Sequence, residues 1–248
     1  MKLSVVIPCK NEAGTVEQLL DSLVAQTSAP DEIVVIDSHS TDATVKAVKA
    51  YDKKLPIKII TAIGRGVTAA RNEGAAAANG DMLLFIDADI RLPKKLIATM
   101  RRQIANRNLE VGGFPQRMIE GGVGLRAGAR LMNSYIHLMS HTKAPIFFCC
   151  FFATKKIHET IGGFDPEIWI MEDYDYAYRA KKAGAKFGLI KGMYFIASIR
   201  RFKKKAGLSI GRALYAELYR YTHGMRLTKP LFTYEMGGGE KNEKTKKQ

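Results

Sequence analysis

Four short apolar runs, each followed by a polar cluster and most by a helix-spaced segment, decide what this chain can fold into. Leu3-Ser-Val-Val-Ile7, Ile33-Val-Val-Ile36, Ile57-Lys-Ile-Ile60 and Met82-Leu-Leu-Phe-Ile86 are short, apolar and mostly β-branched, as buried strands are. After the first, Val16, Leu19, Leu20, Leu23 and Val24 recur at helical spacing, and Thr15 with Gln18 reads as a capping box. Val45 and Val48 mark a second helix, and the alanine-rich segment Val67 to Asn79, ended by Gly80, marks a third. Strands that are apolar throughout, alternating with helices, belong to an α/β fold. Its central sheet is mostly parallel and its crossovers are right-handed.

Polar residues gather after each strand. The first is followed by Pro8, Lys10, Asn11 and Glu12, and the second by Asp37, Ser38, Ser40 and Asp42. After the third come Gly64-Arg65-Gly66 and then Arg71-Asn72; the fourth delivers Asp87 and Asp89. In a parallel sheet these positions share one edge, where open α/β sheets bind ligands. The mixture suits one pocket: acids for ribose hydroxyls or a cation, arginines for phosphate. Asp87 and Asp89 contribute little to stability as buried charges. They gain a purpose beside a divalent cation and a diphosphate. Read without the rest, Asp-x-Asp is equally a turn or helix cap ahead of Pro93. Glu172-Asp173 is equally a pair of acids complementing a helix dipole.

The ordered set Val5-Val-Ile-Pro8 with Asn11-Glu12, Val35-Ile-Asp37-Ser-His-Ser-Thr-Asp42, Ala70-Arg-Asn-Glu-Gly74, Phe85-Ile-Asp-Ala-Asp89, Gly162-Gly-Phe-Asp165 and Glu172-Asp173 resembles the inverting family 2 glycosyltransferases. The likeness runs over residues 2 to 200 and implies a single GT-A type, Rossmann-like domain. It also implies roles. Asp37 would bind the nucleoside of a UDP- or GDP-linked sugar donor, in a pocket lined by Pro8, Asn11, Glu12 and Ser38. Arg65 and Arg71 would approach the diphosphate or the nucleoside. Asp87 would touch ribose or sugar hydroxyls, Asp89 would ligate Mn²⁺ or Mg²⁺, and Asp173 would deprotonate the acceptor, with Glu172 and Asp175 as neighbouring carboxylates. Such a displacement builds charge on the leaving diphosphate, so cation and arginine belong on that side and the base on the opposite face of the sugar. Many relatives carry a late histidine where this chain reads Ala197-Ser-Ile-Arg-Arg201. Arg200 or Arg201 is the expected substitute at the diphosphate.

Two other classes compete. One is a non-catalytic sugar-nucleotide-binding or scaffold protein of the same fold. The other is an NAD-dependent oxidoreductase, suggested by Gly64-Arg-Gly66-Val-Thr-Ala69 with Asp87 further on. The second leaves the Asp37 cluster and Asp89 without a role.

Charge sets expectations about partners. With 39 basic against 24 acidic residues the formal charge is +15, and much of the excess falls in Arg200–Lys205 and beyond. Two readings fit this balance: a solvated basic surface, and attraction to an anionic membrane surface with a polyprenyl-phosphate or glycolipid acceptor. Nucleic acid does not, because no helix-turn-helix, RRM or zinc pattern is present. Residues 207–226 read as a basic amphipathic helix, either at a membrane interface or packed onto the main domain. The stripe Val123, Leu125, Leu131, Met132, Ile136 and Met139 reads as a core or acceptor-side helix. Ala144–Ala153 is about half the roughly 20 residues a membrane span needs and reads as a buried strand. No signal peptide or spanning segment is expected, and Cys9, Cys149 and Cys150 read as thiols of a reducing cytosol. The expected location is cytoplasmic, at the cytosolic face of a membrane. The expected organisation is a nucleotide-sugar half, 1–110, an acceptor-side half of the same domain, 111–198, a basic helical extension, 199–236, and a disordered tail, 237–248.

Overall fold

The computed structural model describes residues 1–168, 170–198, 200, 211, 215–220, 222, 224 and 228. Arg201 and most of the basic extension and tail therefore lie outside the described residues. In chain order the elements are β1 (Leu3–Cys9), α1 (Val16–Val24), β2 (Glu32–Asp37), α2 (Thr44–Lys49), β3 (Ile57–Thr61), α3 (Gly66–Ala77), β4 (Met82–Ile86), α4 (Leu96–Arg107), β5 (Val111–Gly113) and β6 (Gln116–Arg117). They continue with α5 (Val123–Met139), β7 (Cys150–Thr154), α6 (Lys155–Thr160), α7 (Glu172–Lys182) and β8 (Phe195–Ile196).

The described strands form a six-stranded sheet in the order β3-β2-β1-β4-β7-β5, with a two-stranded ribbon of β6 and β8 beside it. The four strands expected from the sequence pair in parallel, and β7 runs antiparallel between β4 and β5. The sheet is thus mostly parallel, as its apolar strands require. Both faces are covered: Val5, Ile7, Val35 and Leu84 join the core under α1 and α4, while Val6, Val34, Ile36 and Phe85 join the core under α3 and α7. The chain order reverses between β1 and β4, so the crevice at their carboxyl ends is the place for a ligand.

That reversal also disposes of the dinucleotide motif. Gly64-Arg65-Gly66 follows β3, an edge strand separated from β1 by β2, and a dinucleotide fingerprint belongs on the turn beside the crevice. Two local expectations need correction. Thr15 does not cap α1; its hydroxyl turns back to the Glu12 carbonyl at 3.0 Å and the Glu12 carboxylate at 2.5 Å. The apolar run Ala144–Ala153 supplies a strand only from Cys150. Ile146 and Phe147 ahead of it are buried in non-strand backbone, which continuous hydrophobicity does not distinguish from a strand.

Gly74 shows why α3 can lie against the sheet. A Cβ there would stand 2.5 Å from both Ile36 Cδ1 and Val6 Cγ1. Gly74→Ala is expected to destabilise the protein by about 1–3 kcal/mol through overpacking, despite alanine's higher helix propensity. Urea denaturation measures this, and an unchanged or raised midpoint would refute the close approach.

Candidate active site

The loops after β1 and β2 are tied into one wall of the crevice. Asn11, at a left-handed φ of 52°, donates its N–H to Ser40 Oγ at 3.0 Å, and its side-chain oxygen accepts the Thr41 N–H at 2.8 Å. The Glu12 N–H donates to Thr44 Oγ1 at 2.8 Å. Pro8 pairs with Ile36 in the parallel register, and the Ser38 N–H donates to the Cys9 carbonyl at 2.8 Å. Asp37 is buried at the end of β2 and accepts the Ser40 N–H. Burial pushes the Cys9 thiol well above its usual range, with Glu12 and Asp37 adding to the effect. It stays a neutral thiol beneath this wall.

The loop after β4 faces that wall. Asp89 lies 3.6 Å from Arg200 Nη2, and Arg200 in turn grips Glu12 through two bonds of 2.7 and 2.8 Å. Arg200 thus stands between the β1 and β4 loops. Asp89 offers a hard carboxylate at the crevice, the donor type that Mn²⁺ and Mg²⁺ prefer. Among the described residues no group of three or more His, Cys, Asp or Glu side chains is gathered to hold a metal. A cation here would draw most of its ligands from phosphate oxygens and water, and Asp89 fits that mode.

The third side of the site is built around Arg71. Its guanidinium is 3% exposed and forks between Asp87 Oδ1 and Glu172 Oε1, each at 2.8 Å. The Phe151 and Phe164 rings lie 5.5 and 5.4 Å from it, within cation–π range. Burial opposes its charge, but Asp87, Glu172 and Asp173 outweigh that, so the guanidinium stays ionised. Arg71 was expected to approach the diphosphate or nucleoside. It is instead turned inward, bracing β4 against the start of α7. Next to it, Asn72 exchanges two hydrogen bonds of 2.8 Å with the Phe164 backbone, tying the Arg-Asn pair to the Gly-Gly-Phe-Asp turn.

Helix α7 therefore presents its acids to the crevice. Met171, at a left-handed φ of 60°, turns the chain into it. Glu172 is held by Arg71, and Asp175 by Arg179 at 2.7 Å. Asp173, between them, is 9% exposed and accepts the Tyr174 N–H at 3.0 Å. Its carboxyl is pushed well above the usual range by burial, then by Glu172, with Arg71 opposing and Asp87 adding.

Two of the expected site residues are not gathered into this cluster. Arg65 is exposed at the N-terminus of α3, after the edge strand. Arg201 lies outside the described residues. Two contributors escaped the sequence. Glu172 as the partner of Arg71 had no local signal, being 101 positions away. The Phe151 and Phe164 faces had none either. The burial of Arg71 did leave a trace: it sits one position after Ala70 and three before Gly74, on the small-residue face of α3.

A mostly parallel sheet with its crevice at the β1/β4 reversal, and with Glu12, Asp37, Asp87, Asp89 and Asp173 on the elements around it, defines an α/β protein with an acidic candidate site. Residues 4–162 match the model of glycosyl transferase family 2, and the chain belongs to that family. It is 32% identical over 111 residues to the uncharacterized glycosyltransferase YibD of Escherichia coli, covering 44% of this chain and 32% of that protein. It is 32% identical over 125 residues to a dolichol-phosphate mannosyltransferase of Pyrococcus furiosus, covering 49% and 35%. The matched part thus spans only about a third of these relatives. The fold is shared with TarS 1-349 of S. aureus in complex with UDP (TM-score 0.65, 22% identity, 88% of this chain and 66% of that one). It is shared equally with the mannosyltransferase PcManGT of Pyrobaculum calidifontis in complex with GDP-Man and Mn²⁺ (TM-score 0.66, 20% identity, 87% and 61%).

Proposed function

We propose that this chain is an inverting glycosyltransferase that moves a sugar from a nucleoside diphosphate donor to an acceptor hydroxyl or lipid phosphate. The observation that carries the reading is the Arg71 fork, which fixes Asp87 of the donor side beside Glu172 and Asp173. Asp37, Pro8, Asn11 and Ser38 would hold the nucleoside. Asp87 would take ribose or sugar hydroxyls. Asp89 would hold Mn²⁺ or Mg²⁺, whose chemistry when bound is to neutralise charge on the departing diphosphate. Arg200, which contacts Glu12 and Asp89, would share that task. Asp173 would take the acceptor proton as the new glycosidic bond forms, and the acceptor attacks the face opposite the leaving group, which inverts the anomeric centre. Of the three acids on this helix turn, Glu172 and Asp175 already face arginines, which favours Asp173 as the base. A donor linked to UDP or GDP is supported by the ligands of the two solved relatives. A lipid-phosphate acceptor is supported by the name of the archaeal relative. The same reading places the protein in the cytoplasm, at the cytosolic membrane face.

The pH dependence follows from the burial of Asp173. A base works only when ionised, and its raised pKa moves the acid limb of the transfer rate above the usual carboxylate range of about 4. Glu172→Gln removes the like charge that raises Asp173 and should shift that limb to lower pH. A pH profile of kcat/KM measures it; a limb that stays fixed would place the titration elsewhere.

Donor binding is tested by calorimetry with UDP and with GDP, with and without Mn²⁺. One nucleotide should bind more tightly with Mn²⁺, and Asp89→Ala should abolish the metal-dependent part, a loss of about tenfold or more. Failure of both nucleotides to bind the unaltered protein would overturn the proposal.

A further inference from the structure

Helix α5 carries a surface that the donor chemistry does not use. Its inner face is buried: Ile136 and Met139 pack with Ile146 and Tyr174, the residue after Asp173. Its outer face is apolar and uncovered, with Val123 76%, Leu131 73% and Leu138 64% exposed. Spacings of eight and seven residues set these three on one stripe. Arg126, Arg130 and His137 run alongside it, and the segment from Gly121 to His158 contains no Asp or Glu. Arg126 and Arg130 also line a groove of about 640 Å³ with Arg117, Asn133 and Tyr194. The helical residues 215–220 extend the surface. Arg220 Nη2 donates to Tyr135 Oη at 3.1 Å, and Tyr135 bonds to Glu217, which leaves Tyr215 and Leu218 52% and 66% exposed.

We infer that this face, and not the basic run after Arg200, is where the protein docks on an anionic lipid bilayer. Apolar side chains flanked by arginines suit the boundary between acyl chains and anionic headgroups. Charge complementarity selects that occupant. A second copy of the chain would set arginine against arginine across a two-fold interface, and a free phosphate or a nucleic acid would leave the apolar stripe in water. Among the described residues no helix is long and apolar enough to cross a membrane, so α5 would lie in the interface plane. Because its inner face abuts Tyr174, docking would bring the mouth beside Asp173 to headgroup level. The inference deepens the proposed reaction and rests on it for that last step, since it names the side from which a lipid-borne acceptor arrives.

Vesicle co-sedimentation of the full chain tests it, with phosphatidylcholine vesicles as one arm and phosphatidylcholine–phosphatidylglycerol vesicles as the other. Binding should require phosphatidylglycerol and weaken as salt rises. The triple substitution Val123→Ser, Leu131→Ser, Leu138→Ser and the pair Arg126→Glu, Arg130→Glu should each weaken it by about tenfold or more. Lys203→Glu, Lys204→Glu, Lys205→Glu should weaken it less than about threefold. Circular dichroism is followed in every variant as the measure of an intact fold, and UDP or GDP binding is read beside it. Vesicle binding lost only in the lysine variant would overturn the inference. So would binding indifferent to the α5 variants, or an α5 stripe whose substitution dissolves a dimer without touching vesicle binding. Since nucleotide binding is read separately, failure here leaves the transferase reading standing, and failure of nucleotide binding leaves the docking result standing.

Discussion

Asp173→Asn is expected to lower sugar transfer by about 10²-fold or more while donor affinity holds, because in the proposed reaction the residue acts on the acceptor proton and not on the nucleotide. It is also expected to raise the thermal midpoint at pH values above the folded pKa of Asp173. The sign comes from linkage. The folded protein raises the pKa of Asp173, so it favours the protonated form. The stability this confers is complete below the unfolded carboxylate value and is lost as pH rises through the folded value. Above the folded value the ionised side chain is a strain, and asparagine relieves it. Lower activity with higher stability is the signature of a group kept for function. A structural role for Asp173 would give the reverse, with the midpoint falling and activity following it.

Arg71→Ala has the largest expected effect on the fold. The guanidinium is buried, holds two carboxylates and lies against two phenylalanine rings. Removing it leaves Asp87 and Glu172 beside Asp173 with no counter-charge, and breaking a buried pair in this way costs about 3–5 kcal/mol. Arg71→Lys should recover part of that and not all. An ammonium is a point charge and cannot fork between two carboxylates while lying flat on the rings. Chemical denaturation reads both variants. A loss under about 1 kcal/mol in Arg71→Ala would mean that the fork does not join the donor side to α7.

The parallel half of the sheet was readable in the chain because β1, β2 and β4 are buried on both faces, so their side chains are apolar almost without alternation, and the partly exposed β3 still carries three isoleucines. The ribbon of β6 and β8 was not readable. It pairs two residues with two, Gln116 with Phe195 and Arg117 with Ile196, and no periodicity exists at that length. In the site, the acids were legible by type and by position after strands. Their pairings were not. Glu12 and Arg200 are separated by 188 positions, and only the fold reveals that they meet. The same limit explains Arg71. Its type suggested phosphate, but its direction depends on which face of α3 meets the sheet, and Gly74, by letting that helix lie close, settles the matter.

The reaction itself is open to one measurement: turnover of the full chain with Mn²⁺ across a panel of UDP- and GDP-linked sugars, with the anomeric configuration of the released or transferred sugar followed by NMR. One donor should be consumed, its nucleoside diphosphate released, and the configuration inverted. Retention of configuration, or no turnover of any donor by a protein that binds neither UDP nor GDP, would contradict the proposed transferase.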